Sequence, residues 1–152
     1  MREILFRGKH PNGEWVEGSL IAVKDFTAIL ECESDRYEYP YLDNDLGTID
    51  GYAIPVIPET VGQYTGLTDK NGKKIFEGDI VDMGDNWWDA FGPAGHDSQK
   101  TIVHWSEEHC GFDPFANYDC DCGVYIQAKR CTVIGNIHDN PELLEGGAPD
   151  GV

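Results

Sequence analysis

Residues 60–81, TVGQYTGLTDKNGKKIFEGDIV, decide how the rest of the chain is read. They read as a strand, a turn at Asp69-Lys70-Asn71-Gly72, a returning strand, and a Glu77-Gly78-Asp79 bend into a further strand. Asn and Gly tolerate the positive φ that tight hairpin turns demand, so Asn71-Gly72 marks the reversal. Glycines followed by Lys and Asp can also cradle phosphate. Gly66, Gly72 and Gly78, however, are spaced for a turn and bends, not for an anion nest ahead of a helix. The stretch is framework, and a functional surface is expected in the loop it leads into.

An earlier segment echoes it. Phe6-Arg7-Gly8, then Asn12-Gly13, then Trp15-Val16-Glu17-Gly18-Ser19-Leu20-Ile21 follows the same order as Tyr64-Thr65-Gly66, Asn71-Gly72 and Ile75-Phe76-Glu77-Gly78-Asp79-Ile80-Val81. The shared unit is a β-hairpin whose second strand bends at Glu-Gly. Duplication of a small β unit and convergence on one turn chemistry both produce it.

Outward from these segments the pattern stays short and β-like. Strands are expected over 3–7, Trp15–Val23, 26–32 and 36–41, the last alternating charges with Tyr37, Tyr39 and Tyr41. Gly18 inside a strand pattern implies a bulge or a close backbone approach. Residues 49–57 carry Pro55, and a proline has no N–H for a ladder, so an edge strand or extended crossing is expected there. Residues 84–99, GDNWWDAFGPAGHDSQ, read as a long loop. Strands resume over 100–105, 123–128 and 131–137, then a helical turn at Glu142–Glu145 and a frayed tail. The expected organisation is an N-terminal β subdomain (1–58), a second β unit (59–139) and a tail (140–152).

Composition bounds the partners. With 40% hydrophobic and 11% aromatic residues among 152, the chain is globular rather than disordered. No apolar run approaches the roughly 20 residues that span a bilayer, and that of MREILFRGKHPNG is too short for a signal peptide, so a cytoplasmic protein is expected. Eleven Lys+Arg against 28 Asp+Glu give a net charge of −17. Such a field repels nucleic-acid phosphates and anionic membranes, leaving basic partners, cations or plain solubility. The partners expected are proteins, copies of the chain itself among them, because exposed strand edges and short β units favour self-association. Five cysteines, an odd number without framework spacing, point to reduced thiols.

Several groupings carry chemistry. Cys120 and Cys122, in a strand, would face the same way, and with His109-Cys110 and Cys131 would offer the N/S ligands of a structural zinc; the alternative is small buried or incidental thiols, and no cofactor. Asp82, Asp85, Asp89, Asp97 and Asn86 offer oxygen ligands without calcium-loop spacing, and a solvated acidic loop is the plainer reading. Trp87, Trp88 and Phe91 are candidate interaction anchors, unless a tryptophan caps the core. His104, in the apolar TIVHW, is expected to be a satisfied core histidine. No nucleophile elbow, zincin, phosphate-loop or dinucleotide motif occurs, so no catalytic residues are assigned.

Residues 60–81 resemble the signature of the YopX family of small phage and prophage proteins. REILFRGKHPNGEWVEGSLI and VIGNIHDNPELL resemble that family's flanks, in the right order. The resemblance implies a mainly β fold with a C-terminal SH3-like barrel and a phage or prophage origin, and it supplies no catalytic residues. The function expected is a non-enzymatic accessory role through protein–protein contacts. An acidic mimic of DNA that occupies a host nucleic-acid-binding protein and a zinc-binding module are the alternatives.

Overall fold

A computed structural model describes residues 2–31, 41–43, 48–50, 53–83, 100–116 and 128–145. The protein is mainly β and divides into two compact units, Met1–Tyr64 and Thr65–Val152.

In the first unit, β1 (Phe6–Lys9), β2 (Trp15–Val23), β3 (Phe26–Glu31) and β6 (Ala53–Pro55) pair antiparallel in the order β6-β3-β2-β1. The first residues of β7 (Gly62–Thr68) add to β1, Gly62 opposite Arg7 and Gln63 opposite Phe6. β4 (Tyr41–Asp43) and β5 (Thr48–Asp50) form a hairpin of their own. Pro55 falls on the edge strand, where its missing N–H removes no ladder bond. Val16, Ile29 and Val56 form the core, with Phe6, Leu20, Ile54 and Val61 packed on it. The 3₁₀ turn Pro58–Thr60 ties to β1: the Lys9 N–H donates to the Thr60 hydroxyl at 2.8 Å, and that hydroxyl donates to the Ile57 carbonyl at 2.6 Å.

In the second unit, β9 (Asp79–Asp82) lies between β10 (Lys100–Ile102) and β13 (Thr132–Asn136). β8 (Lys74–Phe76) neighbours β7, where the Thr65 hydroxyl donates to the Ile75 carbonyl at 2.8 Å. Ile75, Val81, Met83, Val103, Phe112, Phe115, Ala128, Cys131 and Val133 form one core. Strand β9 is therefore buried by neighbours on both edges and by apolar contacts. Among the described residues the strands form open sheets and close no barrel.

One expected strand, over 100–105, is two. Val103, fully buried, interrupts it by exchanging backbone bonds with the bend: its N–H donates to Asp79 O, and Gly78 N–H donates to Val103 O, both at 2.8 Å. Beyond it, β11 (His104–Ser106) pairs with β12 (Gly111–Asp113) instead of with β9. The strand expected over 36–41 is described only at Tyr41. That over 123–128 is described only at Ala128, within a helical stretch at 128–130. The loop 84–99 lies outside the described residues. Glu142–Glu145 is the helical turn anticipated. Among the described residues no helix is long and apolar enough to cross a membrane.

The two echoed hairpins share one turn. At His10–Gly13 and Asp69–Gly72 the glycine N–H returns to the first residue's carbonyl, at 2.8 and 3.0 Å. Both glycines are left-handed, with φ of 98° and 79°, the geometry of a type I turn closed by a left-handed residue. In each the first side chain accepts the N–H two residues on: His10 Nδ1 from Asn12 at 3.1 Å, Asp69 Oδ1 from Asn71 at 2.9 Å. The parallel ends at the second glycine. Gly78, φ 91°, turns the chain between β8 and β9, whereas β2 runs straight through Gly18. A Cβ at Gly18 would lie 1.9 Å from the Leu30 carbonyl oxygen, so close approach, not a bulge, is what demands glycine there.

Asp69 does more than start a turn. Its Oδ1 accepts the N–H groups of Asn71 and Lys73, both at 2.9 Å, and its Oδ2 accepts that of Val133 in β13 at 3.0 Å. Burial alone pushes this carboxyl up. The N–H groups of Val133, Lys73 and Asn71, with the Lys73 charge, outweigh it and hold the carboxyl below its ordinary value. Lys70 N–H adds a bond to Cys131 O at 3.0 Å, so the turn is sewn to the segment entering β13.

Candidate functional site

The polar grouping that the fold assembles most completely lies on the β11–β12 hairpin. Its register sets His104 opposite Asp113, Trp105 opposite Phe112 and Ser106 opposite Gly111. Side chains alternate along a strand, so Trp105 and Phe112 share one face while His104, Ser106 and Asp113 share the other. Phe112 belongs to the core. Trp105, 49% exposed, meets it edge to face with ring centroids 5.2 Å apart.

On the polar face, His109 folds back from the turn. Its Nδ1 lies 3.0 and 3.2 Å from the two Asp113 carboxylate oxygens and 3.2 Å from the Ser106 hydroxyl. The His109 N–H also donates to Ser106 Oγ, at 3.2 Å. Serine, histidine and aspartate therefore meet, but in the wrong connectivity for acyl transfer. A nucleophile relay needs the acid on one ring nitrogen and the hydroxyl on the other. Here both sit on Nδ1, so an imidazole oriented by Asp113 offers Ser106 no base. What the arrangement does is close the turn, since it links residues 106, 109 and 113 across the hairpin.

His104 corrects an expectation. Its side chain is 60% exposed, with Nδ1 3.3 Å from the Ile102 carbonyl and Nε2 3.9 Å from Asp113 Oδ2. Alternation gives the buried position to Val103, and His104 turns outward. His109 and Cys110 behave as adjacent residues should, turning to different partners: the Cys110 thiol points to the Glu107 carbonyl at 3.5 Å, from a left-handed backbone with φ 49°.

The two described cysteines sit in opposite environments. Cys110 is exposed on the hairpin, while Cys131 is fully buried and donates from its thiol to Ala128 O at 3.1 Å. Burial first, then the Asp69 charge, push the Cys131 thiol up to about 12, with Asp79 and Asp82 adding and its own backbone pulling the other way. Cys120 and Cys122, the anchors Trp87, Trp88 and Phe91, and Asp85, Asn86, Asp89 and Asp97 lie outside the described residues; Asp82 of that acidic group is in β9. Among the described residues no group of three or more His, Cys, Asp or Glu is placed to hold a metal ion.

Sequence reasoning missed the Ser106–His109–Asp113 grouping and the outward Trp105. The available signal was the spacing of three and four residues around Glu107-Glu108 and Gly111, which is the spacing of a turn with polar partners on both arms.

Fold and site together define a mainly β protein of two units whose polar cluster secures a turn. The chain belongs to the YopX protein family, whose model matches residues 5–145, in keeping with the resemblance carried by residues 60–81 and their flanks. It is also similar to protein EF1440 from Enterococcus faecalis, known from a crystal structure: identity is 26%, the match covers 95% of this chain and 99% of that one, and the TM-score is 0.52. No curated protein matches the chain.

Proposed function

We propose that the chain is a non-enzymatic phage or prophage accessory protein that works through protein–protein contacts, copies of itself included. The observation that carries this reading is an apolar pair at the tip of the β2–β3 hairpin. Val23, 62% exposed, sits directly opposite Phe26, 45% exposed. Apolar surface gains about 25 cal/mol for each Å² that a partner covers, so the pair offers a partner an apolar foothold. The connectivity of Ser106, His109 and Asp113 supports the non-enzymatic side of the reading.

Light scattering across a concentration series tests it. The wild type is expected to size above a monomer at high concentration, and the double variant Val23→Ser, Phe26→Ser to weaken association about tenfold. A wild type that stays strictly monomeric throughout would sink self-association.

The finer fold proposal is an SH3-like barrel over residues 59–139; its support is β9, flanked on both edges and buried over Asp79, Ile80 and Val81. The cytoplasm is the proposed location, and the free thiols of Cys110 and Cys131 are in keeping with it. A second reading, the acidic mimic of DNA, is favoured by the net charge of −17. Capture of host DNA-binding proteins that salt then releases would favour it over the first.

A further inference from the structure

Two tryptophans in this chain meet their surroundings in opposite ways. Trp15 is capped from within its own unit: the Arg7 guanidinium lies 4.9 Å from its ring centroid and the Lys9 ammonium 5.9 Å. An indole face attracts cations through its quadrupole, and tryptophan does so best among the aromatic side chains. Trp105 differs. Among the described residues no Arg or Lys lies over its ring, although the ring is 49% exposed and its edge-to-face contact with Phe112 holds it in place.

The charge around it points one way. Glu107 and Glu108, two and three residues on, are exposed in the turn that joins β11 to β12. Neither forms an ion pair among the described residues. The sequence from 101 to 128 contains no Lys or Arg at all. That stretch thus supplies no Lys or Arg for the indole or the two carboxylates, whereas Arg7 and Lys9 of the first unit serve Trp15.

We propose that Trp105, Glu107 and Glu108 form a docking surface for an arginine- or lysine-bearing peptide segment of a partner protein. The cationic side chain stacks on the open indole face, as Arg7 does on Trp15, and the two carboxylates meet its charge and that of a neighbouring basic residue. Steering by the acidic chain speeds the encounter, while the fixed ring supplies the contact that bulk charge does not. The proposal rests on the reading of this chain as a protein-contact module and names the chemistry of the partner.

Calorimetric titration of the full chain with a hexa-arginine peptide at physiological salt tests it. Trp105→Ala is expected to weaken binding about fivefold with the net charge unchanged, and Trp105→Phe to recover part of that loss. Glu107→Gln with Glu108→Gln is expected to weaken binding more than the charge-matched pair Glu14→Gln with Glu31→Gln in the first unit. Absent binding, a Trp105→Ala chain that binds like the wild type, or two glutamine pairs that behave alike, would overturn the surface. The light-scattering result would stand regardless, because it probes the β2–β3 hairpin.

Discussion

Asp69→Ala is expected to lower the stability of the second unit by about 4 kcal/mol, measured by urea unfolding at neutral pH. The carboxylate is 1% exposed and accepts three backbone N–H groups, two in its own turn and one from Val133 in β13. Alanine leaves the buried Val133 donor without an acceptor, at about 1–3 kcal/mol, and gives up the two part-buried turn bonds from Asn71 and Lys73, each worth about 0.5–1.5 kcal/mol. Asn is expected to recover part of the loss: its amide oxygen replaces Oδ1, but its NH₂ then opposes the Val133 donor. The pH dependence has a definite sign. The folded-state carboxyl is held below its ordinary value of 3.8, so its contribution is fully present above that pH and fades as pH falls further. Unfolding midpoints measured from neutral pH down into that acid range should therefore fall less steeply for Asp69→Asn than for the wild type. Parallel acid limbs would show that Asp69 is not the titrating latch.

Gly18→Ala is expected to cost the first unit about 3 kcal/mol or more. The added methyl would lie 1.9 Å from Leu30 O, 2.7 Å from Leu30 C and 3.1 Å from the Glu31 Cα, all of them backbone. No side chain can rotate away, so β2 and β3 must part where Gly18 faces Glu31. Gly78→Ala provides the contrast. There the left-handed backbone, φ 91°, by itself costs about 1–2 kcal/mol. The same residue type at echoed positions is thus required for two different reasons. Thermal unfolding of the two variants should rank Gly18→Ala as the more damaging; the reverse order would contradict the close-approach account.

Local chemistry explains what could be read from the sequence. Asn12-Gly13 and Asn71-Gly72 announced their turns because positive φ is a single-residue requirement. The edge position of Pro55 follows from its missing N–H, and the bounds of β2 and the turn at Glu142–Glu145 from equally local patterns. What stayed hidden depends on distant partners. The bond from Val133 to Asp69 spans 64 residues, and nothing in an Asp-x-Asn-Gly turn says where the second carboxylate oxygen will point. Strands β10, β11 and β12 have three residues each, too few to display a period, so the break at Val103 and the outward Trp105 and His104 follow from pairing alone. The sequence did contain Ser106, His109 and Asp113 at turn spacing, but only the register of β11 on β12 shows that the serine and the aspartate share one nitrogen.

Cys131 gives the second unit a chemical clock. A thiolate is the reactive form of cysteine, and this thiol is sealed in the core with its ionisation pushed up to about 12. Alkylating reagents in neutral solution reach it only during those moments when the core around Val133 and Phe115 parts. Cys110, on the surface hairpin, has no such shelter. The ratio of labelling rates at these two positions therefore reports the free energy of opening around Cys131.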